Sequence, residues 1–529
     1  MKFLVICGSA LFLLLIISSC IPSNLPHSLI KIGGIDGLTN IENNTLQWIP
    51  EGEKGGAVVM YECRKDGGAW YSNGLETTYV WDSYSEGLHS FEVRAKKKNG
   101  TYSETLKWLF EYADKPDLIS WQKCLGGSGF EGLAGVYTYN SIQLTADGGY
   151  IVAGTTDSKD GDVSNNKGKA DVWVTKLDSK GSLVWEKSLG GSEDDVGQFV
   201  IQTADGGYVV VGYTSSTDGD VTGNHGNSDI WVIRLDQEGN LIWQKCFGGT
   251  DYDIGQSVLQ TGDGGFIVAG MTRSNNGDVS GNNGDWDIWV LKLDESGNLI
   301  WQKCLGGSGT DVSHTIQQTT DGGFAIAGFT SSDDGDVSGN RGGFDIWVIK
   351  LDETGNVSWQ KCLGGSGNDW GRSIQQTNDG GYIVAGSTSS VDGDVERNTL
   401  SAVSNDDVWL VKLDDEGNVE WQSCFGGAYT DLSYSVTQAN NGGYAVIGFT
   451  ESNDGDVEGN HGGRDIWIVR VDDMGSLVWQ KCLGGTGTDM GYFIQNAEEG
   501  YVIVGQTDSN DGDVEGNHGN IDIWVVKLL

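Results

Sequence analysis

Short apolar runs separated by Gly, Asp and Asn fill most of this chain, a pattern of many strands joined by turns. Phe266–Thr272 is apolar at nearly every position. Asp287–Leu293 is apolar on both faces of an extended strand, with Ile288 and Val290 on one side and Trp289, Leu291 and Leu293 on the other. Such a strand needs cover on both faces. With Ser257–Gln260 before them and Leu299–Leu305 after, these runs predict a four-stranded unit, A (Ser257–Gln260), B (Phe266–Thr272), C (Asp287–Leu293) and D (Leu299–Leu305).

The unit recurs. Tryptophans of the motif W-[QE]-[KS]-[CS]-[LF]-G-G fall at 121, 185, 243, 301, 359, 421 and 479, spaced by 58 residues except for one interval of 64 and one of 62. A second series, in D-[IV]-W-[VIL], falls at 173, 231, 289, 347, 409, 467 and 524. The array opens on a D strand (Leu118–Leu125), runs through six complete units and stops on strand C at Leu528. A linear solenoid needs caps at both ends, whereas here the first strand supplies what the last unit lacks. A ring closed in this way hides its edges. The expected fold is therefore all-β: a seven-bladed β-propeller closed by its first strand, preceded by a small β-sandwich domain.

The pattern also sets domain boundaries. Residues 1–19 read as a signal peptide, because Lys2 precedes an apolar run from Phe3 to Ile17 that is short for a bilayer span. Residues 20–35 are a tether. Residues 36–113 carry no repeat but hold short runs such as Thr45–Ile49, Val58–Cys63, Thr77–Trp81 and His89–Ala95, which suggest the sandwich. Residues 114–529 are the propeller.

Three resemblances add to this reading. Ile17-Ser18-Ser19-Cys20 resembles the lipobox of bacterial lipoproteins, which implies a lipidated Cys20 and a membrane-anchored protein on the cell envelope or surface. Asp66-Gly67-Gly68-Ala69-Trp70 and the run from Gly87 to Ala95 look like fibronectin type III or Ig-like modules of bacterial surface proteins, which serve as spacers or adhesion units. The repeats resemble a group of secreted bacterial and archaeal β-propeller proteins built from W-Q-K-x-L-G-G, D-G-G-Y-I-V-A-G and G-D-V…D-x-W-V-x-K-L-D units. That group implies a propeller and a surface location, not an activity. Asp294-Glu295-Ser296-Gly297-Asn298-Leu299-Ile300-Trp301 also looks like the D-x-x-x-G-x-x-x-W motif of quinoprotein propellers, one residue shorter.

Composition agrees with strands and turns: 83 Gly, 20 Trp and only 4 Pro. A formal charge of −41 excludes nucleic acid as a partner, which needs a basic footprint, and makes divalent cations natural companions. Six of the nine cysteines (Cys124, Cys246, Cys304, Cys362, Cys424 and Cys482) occupy one repeat position, held by Ser188 in the second copy. Equivalent positions on neighbouring blades lie beyond disulfide reach, so these read as small buried side chains.

Candidate chemistry lies in the D–A and B–C loops, which the resemblance to known propellers implies share one face, the face that commonly carries the binding site. In the sixth unit, Asp454, Asp456, Glu458 and Asp465 stand at positions 1, 3, 5 and 12 of a loop with Gly459 at position 6, the spacing of an EF-hand calcium loop. Asp218/Asp220/Thr222/Asp229, Asp334/Asp336/Ser338/Asp345 and Asp511/Asp513/Glu515/Asp522 repeat it, and Asn276/Asp278/Ser280/Asp287 is a weaker copy. Calcium is thus the one expected cofactor. The competing reading is that Asp and Asn build Asx-turns and that the last Asp caps strand C.

Departures from the repeat mark the candidate ligand site, since a residue present in every blade serves the fold. Extra residues in the first D–A loop, Gly129–Asn140, bring Phe130, Tyr137 and Tyr139. Those in the fifth B–C loop, Glu396–Asn405, bring Arg397. The loop entering the fifth blade carries Asp369, Trp370 and Arg372, and Trp286, Tyr252, Phe344 and Tyr429 are further unrepeated aromatics. Aromatics beside carboxylates or Arg stack on a sugar or grip a protein loop.

No G-x-S-x-G, H-E-x-x-H or C-x-x-C motif points to catalysis. The expectation is a non-enzymatic, monomeric surface lipoprotein that binds an extracellular glycan or a surface protein through the propeller's loop face and meets the membrane by its lipid anchor alone. A carbohydrate-active enzyme, hydrolase or lyase, and an envelope-assembly scaffold are the alternatives.

Overall fold

The structure, a computed structural model, describes residues 119–132, 141–396 and 405–529 throughout. Of residues 1–118 it describes 3–7, 10–14, 29–33, 37–39, 44–50, 58–65, 68–73, 75–76, 78–81, 87–98, 100–103 and 105–112. The chain divides into two compact units, Met1–Leu118 and Ile119–Leu529. The described residues form strands and no helix, so among them no helix is long and apolar enough to cross a membrane.

In the first unit, Phe3–Cys7 pairs antiparallel with Ala10–Leu14; Cys20, the expected lipidation site, lies outside the described residues. A five-stranded sheet runs in the order Gly37–Thr39, Leu106–Tyr112, Gly87–Lys97, Val58–Lys65, Tyr71–Ser72, and a three-stranded sheet in the order Leu29–Gly33, Asn44–Pro50, Thr78–Trp81. Cys63, Phe91 and Val93 are fully buried in the larger sheet. On its other face Arg94 lies 4.0 Å over the Trp70 ring and pairs with Glu62 at 2.8 Å.

The second unit holds seven four-stranded antiparallel sheets. Six run in chain order. The seventh is Asp489–Asn496, Tyr501–Thr507 and Asp522–Leu528, with Ile119–Leu125 added along its outer edge. Its pairing is that of an ordinary fourth strand: Gln122 opposes Val526 and Cys124 opposes Trp524. Strand A of each sheet touches strand A of the next, and that of the seventh sheet touches Ser141–Leu144 of the first. This is an all-β, propeller-like repeat fold.

Both tryptophan series have a packing reason. Strand C is buried along its whole length, as its two apolar faces require. Trp289 at its centre is fully buried against Val211 and Val232 of the preceding sheet, and its Nε1–H donates to Gln302 Oε1 at 2.7 Å. The strand D tryptophan packs on the next sheet: Trp243 meets Phe266 edge-on at 6.0 Å and covers the C–D turn at Gly297. Gly297 has a φ of 76°, and a Cβ there would lie 2.8 Å from the indole. Glycine is therefore required twice over at that turn.

Strand A differs from expectation. It spans Asp253–Gln260 rather than Ser257–Gln260, and each equivalent strand from the second sheet onward starts on its Asp. A bulge hides the extension from a period-two reading: the register slips between Gly255 and Ser257, leaving Gln256 outside the ladder. Asp369, Trp370 and Arg372 accordingly lie in strand Asp369–Gln376 and not in a loop.

Candidate functional site

Strands A and C both start, and B and D both end, on one face, so the D–A and B–C loops meet there. Their junctions are built from carboxylates. Asp287 opens strand C of the third sheet and Asp311 opens strand A of the fourth, and both are fully buried. Each places an oxygen 2.7 Å from where a Cβ on Gly306 would stand, which is why this turn takes glycine. Asp311 Oδ2 accepts from Gly307 N and Ser332 Oγ, both at 2.8 Å. Asp287 Oδ2 accepts from Asn283 N at 2.9 Å, while its buried Oδ1 has no hydrogen-bond partner. Burial first, and the facing carboxylates second, push Asp171, Asp229, Asp287 and Asp345 up to about 6. Asp369 belongs to this series: it is fully buried, accepts from Gly365 N and Ser390 Oγ, and serves the junction rather than a ligand.

The residues of the calcium spacing do not converge on one point. Asp218 Oδ1 accepts from Ser192 N at 2.7 Å, Asp220 Oδ2 from Gly190 N at 3.2 Å and Asp229 Oδ2 from His225 N at 3.0 Å. Asp334, Asp336 and Asp345 bind Ser308 N, Gly306 N and Arg341 N in the same order. Asp454, Asp456 and Asp465 bind Ala428 N, Gly426 N and His461 N; Asp511, Asp513 and Asp522 bind Thr486 N, Gly484 N and His518 N. Glu458 and Glu515 are exposed. The first two carboxylates of each loop thus clamp the preceding D–A loop and the third closes its own. Among the described residues no group of three or more His, Cys, Asp or Glu is placed to hold a metal ion. The donor set does not fit an EF-hand-like calcium site, and the turn-building reading accounts for these residues.

The unrepeated aromatics behave differently. Trp370, Phe344 and Trp286, each half-buried, gather at the starting ends of strands A and C. Trp370 lies 4.7 Å from Phe344 in a tilted stack, and both meet the buried Phe329 edge-on at 4.6 and 5.1 Å. Trp286 packs on the same cluster, with the Arg273 guanidinium 5.5 Å from its ring and paired with Asp285 at 2.6 Å. Tyr252, directly before strand A of the third sheet, is outside that cluster and 44% exposed. Tyr137, Tyr139 and Arg397 lie outside the described residues.

Arg372 points elsewhere, and with it comes a site that pattern reading missed. In six of the seven sheets the bulge in strand A turns one side chain toward the place where the A strands meet: Gln198, Gln256, His314, Arg372, Tyr434 and Tyr492. They line a cavity of about 40 Å³ where the A strands meet, room for about three ordered waters. Arg372 Nη1 lies 3.5 Å from His314 Nε2, and its guanidinium lies 5.3 Å from the Tyr434 ring, which meets Tyr492 edge-on at 5.2 Å. Burial and the Arg372 charge hold His314 well below the usual imidazole range. A signal was available: in Asp-x-[Gly/Ser]-x the fourth residue varies among Gln, His, Arg and Tyr while the Asp and the Gly or Ser repeat.

No known family profile matches the chain. The regulatory protein FlaEY of Caulobacter vibrioides is 30% identical over 192 residues, which are 33% of this chain and only 20% of that protein. A mutant of the Synechocystis apocarotenoid oxygenase aligns with a TM-score of 0.38 at 11% identity, over 76% of this chain and 94% of that one. A quinonprotein alcohol dehydrogenase-like protein from Bacteroides thetaiotaomicron aligns with a TM-score of 0.31 at 9% identity, over 85% and 94%. Likenesses at this level carry no argument about activity.

Proposed function

We propose that this chain is a lipid-anchored surface protein whose second unit, a seven-bladed β-propeller closed by Ile119–Leu125, binds a glycan on its D–A/B–C loop face without turning it over. The first unit acts as a spacer. One observation carries the reading: Trp286, Phe344 and Trp370, none required by the repeat, converge on neighbouring sheets of one face. A shelf of aromatic rings offers a large rigid contact area to the C–H face of a sugar. The paired junction carboxylates, by contrast, lie sealed beneath the loops, which favours binding over hydrolysis.

The full chain is tested on an array of neutral, acidic and sulfated glycans, with Trp286→Ala and Trp370→Ala as variants and thermal melts as folding controls. Saturable binding that drops at least about tenfold in folded variants is expected, since such aromatics carry most of a contact's energy. A blank array, or binding untouched by both substitutions, contradicts the reading.

A further inference from the structure

The same face carries a second feature, built separately from the aromatic cluster. Between the sixth and seventh sheets lies an open pocket of about 500 Å³ lined by Tyr429, Glu451, Gly463, Arg464 and Thr488. Two of its walls, Tyr429 and Arg464, are departures from the repeat. The place of Tyr429, two residues before strand A, is glycine in three other sheets (Gly309, Gly367 and Gly487), and Tyr429 stands 61% exposed. The place of Arg464, directly before strand C, is held by Ala170, Ser228, Trp286, Phe344, Asp406 and Ile521 in the others.

Arg464 is fixed on three sides. Its Nε donates to Glu451 Oε1 at 2.8 Å, its guanidinium lies 4.6 Å over the Phe449 ring, and Nη1 is 3.8 Å from Met490 Sδ. The side chains of Arg464 and Glu451 remain 41% and 32% exposed. The pocket therefore presents a preorganised acceptor and donor side by side, next to an open aromatic face and the Thr488 hydroxyl.

That set matches one chemistry. Adjacent hydroxyls on a sugar ring each donate and accept, so one donates to the Glu451 carboxylate while its neighbour accepts from the Arg464 guanidinium. The C–H face of the same ring stacks on Tyr429. The ion pair adds no net charge, and a molecule of formal charge −41 disfavours a uronate or sulfated sugar. We infer that this pocket is a subsite for one neutral pyranose residue with an unsubstituted vicinal diol. The inference rests on the glycan-binding reading of the face and names the sugar class and the residues that select it.

The test titrates the full chain by calorimetry with β-1,4-linked and α-1,6-linked neutral tetrasaccharides, the 2,3-di-O-methyl derivative of the ligand that binds best, and trigalacturonate. Tyr429→Ala, Tyr429→Phe and Glu451→Gln are run beside wild type, with thermal melts. A neutral oligosaccharide is expected to bind. Affinity should fall at least about tenfold on methylation of the diol, in Tyr429→Ala and in Glu451→Gln, but stay within about threefold in Tyr429→Phe, which keeps the ring. Neutral binding that is lost in Trp370→Ala but indifferent to Tyr429→Ala and Glu451→Gln overturns the pocket and leaves the face reading standing. Preference for trigalacturonate, or retained binding of the methylated ligand, overturns the sugar class. No binding by any of these probes or by the arrayed glycans overturns both.

Discussion

Asp287 illustrates how single residues set the conditions under which this fold is stable. Its carboxyl faces Asp311 across Gly306 with one oxygen unpartnered, and it is held up to about 6 against an ordinary value of 3.8. The folded chain therefore keeps a proton that the unfolded chain gives up between those values. The contribution is complete below the ordinary value and is lost as pH rises through about 6. Asp147, Asp263 and Asp321 run the other way: hydrogen bonds to Thr and backbone groups and a buried Lys hold them down to about 2, so their contribution is lost as pH falls from about 4 to 2. The first set favours the fold below about pH 4 and the second above it, so these two sets of carboxyls together favour the folded chain most near pH 4. Asp287→Asn removes the first effect at its junction, since an amide bears no charge and its N–H₂ can donate to Asp311. The variant is expected to be more stable than wild type at pH 7.5, by on the order of 1–3 kcal/mol, and to lose that advantage at pH 4.5. Urea melts at both pH values measure this; equal gains at both would show that the carboxyl is not protonated in the folded chain.

At the scale of the element, strand A decides what the sequence reveals and what it hides. Strands B, C and D are legible because burial on one or both faces leaves a continuous apolar record, with a tryptophan at a fixed place in C and D. Strand A opens on a buried Asp and then slips register at Gly or Ser, so neither alternation nor hydrophobicity marks its first half. Two misplacements follow from that slip. Asp369 and Arg372 look like loop residues but are a junction carboxylate and an axial side chain, whereas Trp370 between them does reach the loop face. The calcium spacing misled for a related reason: one-dimensional spacing cannot tell four oxygens aimed at a cation from three aimed at backbone N–H groups of the neighbouring turn. The aromatics at 286, 344 and 370 were legible as departures from the repeat; their convergence was not, because it depends on how successive sheets are set side by side. The bulge also makes a prediction. His314, enclosed beside Arg372 at the axis, stays neutral until well below the usual imidazole range, so the folded chain resists a proton that the unfolded chain accepts. Its contribution to stability is complete above about 6.5 and is lost progressively as pH falls below that value toward the folded group's own. Its ring carbon-bound proton resonance should hold still between about pH 5.5 and 8. Movement of that resonance through a midpoint near 6.5 would place His314 in contact with solvent.

At the scale of the whole molecule, the strand Ile119–Leu125 joins the two ends of the array and serves two sheets at once. Along the seventh sheet it pairs with Asp522–Leu528, and Gln122 Oε1 accepts from Trp524 Nε1 at 2.8 Å, the bond that Gln302 makes to Trp289 within one sheet. Against the first sheet, Trp121 meets Tyr150 edge-on at 5.5 Å and covers Gly181, the same turn position that Trp243 covers at Gly297. Leu125 is fully buried with Val502, Val504, Ile523 and Val525. Removing the strand therefore uncovers two sheets and opens an edge, whereas its position at the start of the array is incidental to its packing. Two chains separate these statements. One begins at Gly126 and ends at Leu529. The other begins at Gly126, stops at Leu528 and continues through a copy of the Asp294–Asn298 turn into Ile119–Leu125, so that the strand follows its partner as D follows C elsewhere. The first should melt more than roughly 10 °C below the second, and the second within about 5 °C of the chain beginning at Ile119. If the two melted together, the ring would be held closed by its other contacts, and the first strand would be an ornament on the seventh sheet rather than the piece that completes it.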